Sequence, residues 1–143
     1  MAVSSSLVLF SCLLALATAL ERSADVYCGA EKYAGTVGSV SSPWHPFAYP
    51  QGVYCTYAIE TALPQLELGV VSVDIAAGDV LRVYDGASNA DGVKALAEIR
   101  GGSAPRVLRS TTGSVFVEFQ SDGAEQGKGF RLTYGPVPPY LCP

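Results

Sequence analysis

Apolar residues recur at every second position in one short segment after another of this 143-residue chain, a period that suits a pleated strand and not a helix. Val53, Cys55, Tyr57 and Ile59 share one face of "VYCTYAI"; Val115, Val117 and Phe119 share one face of "SVFVEF"; Phe130, Leu132 and Tyr134 do the same in "GFRLTY". Each reads as a strand with one buried face. "LELGVVSVDI" begins with Leu66, Leu68 and Val70 in phase, then shifts to Val71, Val73 and Ile75, as a bulge near Gly69 would require. "DVLRVYDG" adds Leu81 and Val83 and ends in an Asp85-Gly86 turn. In "NADGVKALAEIR", Val93, Leu96 and Ile99 recur every third residue, but the segment is barely long enough to hold itself as a helix, so loop and strand are expected. Strands divided by Gly, Pro, Ser and Asp turns at roughly ten-residue intervals indicate an all-β antiparallel sandwich or barrel.

The first residues have another use. Leu7 to Leu20 is an uncharged apolar run with small residues at Ala17 and Ala19, the form of a secretory signal peptide cut after Ala19. The expectation is a signal at 1–19, a folded domain over 20–135 and a Pro-rich tail over 136–143, the mature protein being secreted and extracellular. Cys12 leaves with the signal, so Cys28, Cys55 and Cys142 remain, an odd number in a compartment where disulfides are the default. No C-x-x-C pair occurs and the single histidine, His45, has no cysteine at ligand spacing, which argues against a zinc site.

Charge and missing parts exclude several functions. The formal charge is -4 and the nine Lys and Arg are scattered, so neither nucleic acid nor anionic lipid is an expected partner. No second long apolar run follows Leu20, so membrane insertion is not expected either. Asn89, the only asparagine, is followed by Ala-Asp, and no N-glycan acceptor exists. His45 sits in a proline-rich crossing without a G-x-S-x-G, and "GAEQGKG" is one residue short of a phosphate loop. No enzyme is expected.

The segment "GTVGSVSSPWHPFAYPQGVYCTYAI" narrows the fold, because Ser42-Pro43, His45-Pro46 and Tyr49-Pro50 impose an extended crossing before the cysteine strand. With Cys28-Gly29, Gly35, Asp79 through Gly86, Ser121-Asp122, and Gly129-Phe130 with Tyr134, the order of these features resembles the CUB domain family over Cys28 to about Tyr134. The resemblance implies a two-sheet jelly-roll β-sandwich that serves as an extracellular binding module. It also implies a disulfide between Cys28 and Cys55. The family's second pair is missing, since "VDIAAGDVL" and "LAEIRGG" carry no sulfur. On the loop-entropy model the remaining bridge contributes roughly 3 to 3.5 kcal/mol.

A subset of the family holds calcium with a glutamate and two aspartates. Here the aspartates fall on Asp79 and Asp122, while the glutamate position is Ala76. Calcium takes roughly six to eight oxygens, so a site would need Asp74, Glu125 or a main-chain carbonyl as a substitute. No cofactor is required for a binding role.

Candidate ligand contacts are the loop and turn residues Trp44, Tyr49, Tyr84 and Asp85; for Trp44 and Tyr49, packing over the first disulfide is the competing explanation. The expected partner is an extracellular protein or glycan. The alternative is a matrix component in which Cys142, on the arm "GPVPPYLCP", tethers the domain or links a homodimer. A small-thiol cap on Cys142, or a fold back onto the domain, is the duller outcome.

Overall fold

A computed structural model of the chain describes residues 27–30 and 32–139. The expected signal segment, its cut after Ala19, and Cys142 lie outside the described residues. Nine strands follow in order: β1 Lys32–Tyr33, β2 Gly38–Ser41, β3 Tyr54–Glu60, β4 Glu67–Asp74, β5 Val80–Tyr84, β6 Ala95–Ile99, β7 Val107–Arg109, β8 Ser114–Gln120 and β9 Gly129–Gly135. They form a five-stranded sheet, β1-β3-β8-β5-β6, and a four-stranded sheet, β2-β9-β4-β7. Apart from the short parallel pairing of β1 with β3, all neighbours are antiparallel. Over the described residues the chain is an all-β, two-sheet sandwich, one of the two architectures its alternation allowed and the one the family resemblance implied.

Alternation explains the core directly. β3 turns Cys55, Tyr57 and Ile59 inward, β8 turns Val115, Val117 and Phe119 inward, and β9 answers from the other sheet with Phe130, Leu132 and Tyr134, all buried. Phe119 and Phe130 meet edge-on with ring centroids 5.2 Å apart, and Tyr57 meets Phe130 at 6.0 Å. Such tilted contacts set the positive ring edge of one against the negative face of the other.

Two sequence expectations are refined here. The phase change in β4 is real and falls near Gly69, where the register slips between Val70 and Ser72. The extra residue is therefore Val71, which the alternation placed inward and the structure leaves 58% exposed. A bulge leaves its extra residue unpaired, and the following Val73 and Ile75 return to the core side. The ambiguous segment resolves as a turn followed by β6, so the helical alternative is absent there.

Cys28 and Cys55 are bonded, with Cα atoms 5.5 Å apart at a sequence separation of 27. The bridge pins the start of the domain to the inner face of β3. At the other end of the chain, Gly129 opens β9 with φ +88°, and a methyl group there would lie 1.7 Å from Ser42 Oγ. Ser42 needs that closeness: its hydroxyl accepts the Phe130 N–H at 3.0 Å and its own N–H donates to the Phe130 carbonyl at 3.0 Å. The proline crossing is thereby fastened to β9.

Candidate functional site

Three connections converge at one end of the sandwich: 42–53 between β2 and β3, 75–79 between β4 and β5, and 121–128 between β8 and β9. Strands that alternate in direction bring these connections to the same end, and hydrogen bonds join two of them closely. The Tyr49 N–H donates to the Gly127 carbonyl at 3.2 Å, and the Gly52 N–H donates to the Asp122 carbonyl at 2.8 Å. Ser121 Oγ donates to the Pro50 carbonyl and accepts the Val53 N–H, each at 2.9 Å. Gln51 Nε2 donates to the Ala124 carbonyl at 2.7 Å.

The proline crossing ends this surface in an aromatic turn. The Phe47 N–H donates to the Trp44 carbonyl at 2.7 Å across a cis His45-Pro46 bond, and Trp44 itself lies at φ 62°. His45 Nδ1 lies 3.2 Å from the Lys128 carbonyl, as an N–H donor would, which ties the turn to the 121–128 connection. Two large side chains are consequently held out in water, Trp44 at 60% and Phe47 at 76% exposure. Sequence reasoning named Trp44 and missed Phe47, because a proline-broken stretch has no period to tell inward from outward aromatics.

Tyr49 is the inward one. It was a candidate ligand contact, and that expectation is corrected: its ring is fully buried, edge-on to Phe119 at 5.0 Å. Its hydroxyl donates to Asp79 Oδ2 and accepts the Ala76 N–H at 3.0 Å. Burial, and then the bond to the Asp79 carboxylate, both push the Tyr49 hydroxyl pKa above its ordinary value.

Asp79 and Asp122 are brought together, but through the main chain of the second: Asp79 Oδ1 accepts the Asp122 N–H at 2.7 Å. Both Asp79 oxygens are thus engaged, and the residue is fully buried. Asp122 Oδ1 accepts the Ala124 N–H at 2.9 Å, and its Oδ2 lies over Gly78, where a methyl group would meet it at 2.0 Å. Asp74, a substitute ligand on sequence grounds, accepts the Lys128 N–H at 3.0 Å. Among the described residues no group of three or more His, Cys, Asp and Glu is disposed to hold a metal ion.

The remaining candidates lie elsewhere. Asp79 precedes β5 and Asp85 follows it, so about 20 Å of strand separates them, at roughly 3.3 Å per residue. Asp85 is spent on structure: Oδ1 and Oδ2 accept the Thr111 N–H and hydroxyl, both at 2.9 Å, joining the β5–β6 and β7–β8 turns. Tyr84 is half-buried against Phe116 on the outer face of the five-stranded sheet, with ring centroids 6.4 Å apart. Neither joins the aromatic turn; Tyr84 packs on Phe116 and Asp85 closes a turn.

Beside Tyr84 runs a charge ladder that the alternation did not reveal. Glu118 faces Arg82 and Arg82 faces Glu98 in cross-strand register. Glu118 is buried and accepts from Arg82 at 2.9 Å, Asn89 at 2.6 Å and the Tyr54 hydroxyl at 3.0 Å. Burial alone would raise its pKa, but the hydrogen bonds from Asn89, Tyr54 and Arg82 together outweigh it and hold the carboxyl below its usual range. A carboxyl depressed in the folded state contributes stability above its unfolded value, about 4.3, which is lost as pH falls through the folded value. Denaturant melts should accordingly show the parent losing stability below about pH 4.3, with a shallower decline in Glu118→Gln. Parallel pH profiles for the two would refute the assignment.

Comparison with known proteins gives one consistent result. The sequence model of the CUB domain matches residues 28–134. Embryonic protein UVS.2 of Xenopus laevis is 33% identical over 105 residues, which cover 70% of this chain and 20% of that protein. Cubilin of Canis lupus familiaris is 31% identical over 118 residues, covering 78% of this chain and 3% of cubilin. The chain thus spans a fifth or less of these relatives. Among solved structures, the MASP-1 CUB2 domain bound to Ca2+ superposes with a TM-score of 0.66 at 22% identity, covering 76% of this chain and 99% of that one.

Proposed function

Given that this chain belongs to the CUB domain family, we propose that it is an extracellular recognition module that binds a partner protein through the loop end of its sandwich. CUB domains are binding modules and not catalysts, which directs attention to exposed surface. The observation that carries the reading is the pair Trp44 and Phe47, held in water on a hydrogen-bonded turn that is anchored to a second connection. Aromatic side chains on a rigid support lose little freedom on binding and dominate interface energetics, which is why buried Trp and Tyr anchors recur as hot spots. The Cys28–Cys55 disulfide supports an oxidising compartment. Among the described residues no helix is long and apolar enough to cross a membrane. The CUB2 domain of MASP-1 binds Ca2+; Asp79 and Asp122 are the carboxylates this chain would offer such an ion.

The test is capture of extracellular proteins by the immobilised domain and by Trp44→Ala/Phe47→Ala. One truncated anchor of hot-spot quality costs about 2 kcal/mol, or about 30-fold in affinity, so the double variant should lose at least that much while melting like the parent. Val107→Ala, exposed on β7 of the four-stranded sheet, should bind as the parent does. Retention of full affinity by the double variant would move the site off this turn. Loss of capture after glycosidase treatment of the bound material would redirect the reading to a glycan.

A further inference from the structure

We propose that the loop end of this domain is locked by a hydrogen-bonded clasp from the Tyr49 hydroxyl through the Asp79 carboxylate to the Asp122 N–H, which makes its fold indifferent to calcium. The residues at the expected calcium position do not fit that ion. Calcium takes roughly six to eight oxygens and more than one carboxylate, and Ala76 supplies no carboxylate. Of the four carboxylate oxygens on Asp79 and Asp122, three already accept hydrogen bonds, from the Tyr49 hydroxyl, the Asp122 N–H and the Ala124 N–H. The two on Asp79 sit on a fully buried residue, so water could not complete a coordination shell around an ion there.

The same bonds explain what holds the three connections in place. Tyr49 comes from the 42–53 connection, Asp79 ends the 75–79 connection, and Asp122 begins the 121–128 connection. Tyr49 also accepts the Ala76 N–H, and the Asp79 N–H donates to the Ala76 carbonyl at 3.0 Å, which closes the 75–79 turn on itself. A buried carboxylate with two donors is satisfied without a cation, whereas one stripped of a donor is costly. The clasp therefore fails by losing the tyrosine hydroxyl, not by losing a metal.

The test reads the fold alone, so its outcome is independent of whether Trp44 and Phe47 bind a partner. Melting temperatures of the disulfide-bonded protein are measured in chelator and in calcium raised through about 0.1 to 1 mM and beyond, the range over which extracellular calcium modules bind. The parent should melt at one temperature throughout. Tyr49→Phe should melt several degrees lower, equally in chelator and in calcium. Asp122→Ala keeps the main-chain donor and should show no calcium dependence either. A saturable rise of the parent's melting temperature that Asp122→Ala removes would overturn the proposal. So would a Tyr49→Phe variant that melts like the parent, or one that calcium restores.

Discussion

Phe119→Ala should lower the unfolding free energy by about 3 to 5 kcal/mol, the cost typical of emptying a fully enclosed aromatic site. Phe119 lies on β8, which β3 and β5 flank on either side, and its ring is fully buried against Tyr49 at 5.0 Å and Phe130 at 5.2 Å. The two sheets and the proline crossing therefore share this one side chain. Backbone ladders on both sides keep the strand from collapsing into the void, so relaxation can recover little. A small domain has only about 5 to 15 kcal/mol in hand, which puts this substitution near the limit of foldability. Phe116→Ala supplies the contrast: same strand, opposite face, half-exposed, and an expected loss of about 1 kcal/mol. Urea unfolding followed by far-ultraviolet circular dichroism separates the two. Equal losses would mean that β8 does not present Phe119 to the core and Phe116 to water.

Replacing Cys28 and Cys55 together by Ala should cost about 3.5 kcal/mol on the loop-entropy model for a closure of this length. The bridge closes a sequence separation of 27 and fastens a stretch whose described strand pairing is β1, two residues paired in parallel with β3. Freed of the bond, the denatured chain gains conformations that the folded state cannot match. Among the described residues no second disulfide shares the load. The measurement is the urea midpoint of the double variant against the unreduced parent at equal slope. A loss below about 1 kcal/mol would show that the denatured chain already holds these ends together, and would count against the entropic account.

Much of the fold was legible because one face of each strand must be dry. Val115, Val117 and Phe119, or Phe130, Leu132 and Tyr134, announce their orientation by spacing alone, and all six are buried. Legibility failed where the period fails. In β4 the phase change was visible near Gly69 but the extra residue was not, since either neighbour of Val70 could carry it until β9 set the register. In the proline crossing, "WHPFAYP" offers Trp44, Phe47 and Tyr49 with no alternation to rank them. Trp44 and Phe47 turn out, Tyr49 turns in, and the order is decided by Phe119 and Asp79, which arrive from distant sequence.

The candidate site divides in the same way. Asp79 and Asp122, and the absence of the third carboxylate at Ala76, could be singled out through the resemblance to the CUB family, which implies those positions. That Asp79 would face a tyrosine hydroxyl and a main-chain N–H instead of an ion depends on three connections folding onto one end. Asp85 shows the converse, a turn aspartate with every mark of a surface contact whose oxygens go to Thr111 across a neighbouring turn. By itself the sequence determined the all-β class, the strands' inner faces and the family, because these follow from local spacing and from the order of Gly, Pro and Cys along the chain. Only the tertiary structure decided which aromatics meet water, where the bulge falls and how the buried aspartate is satisfied. Those outcomes depend on which distant groups arrive within hydrogen-bonding distance, and one-dimensional spacing carries no measure of that.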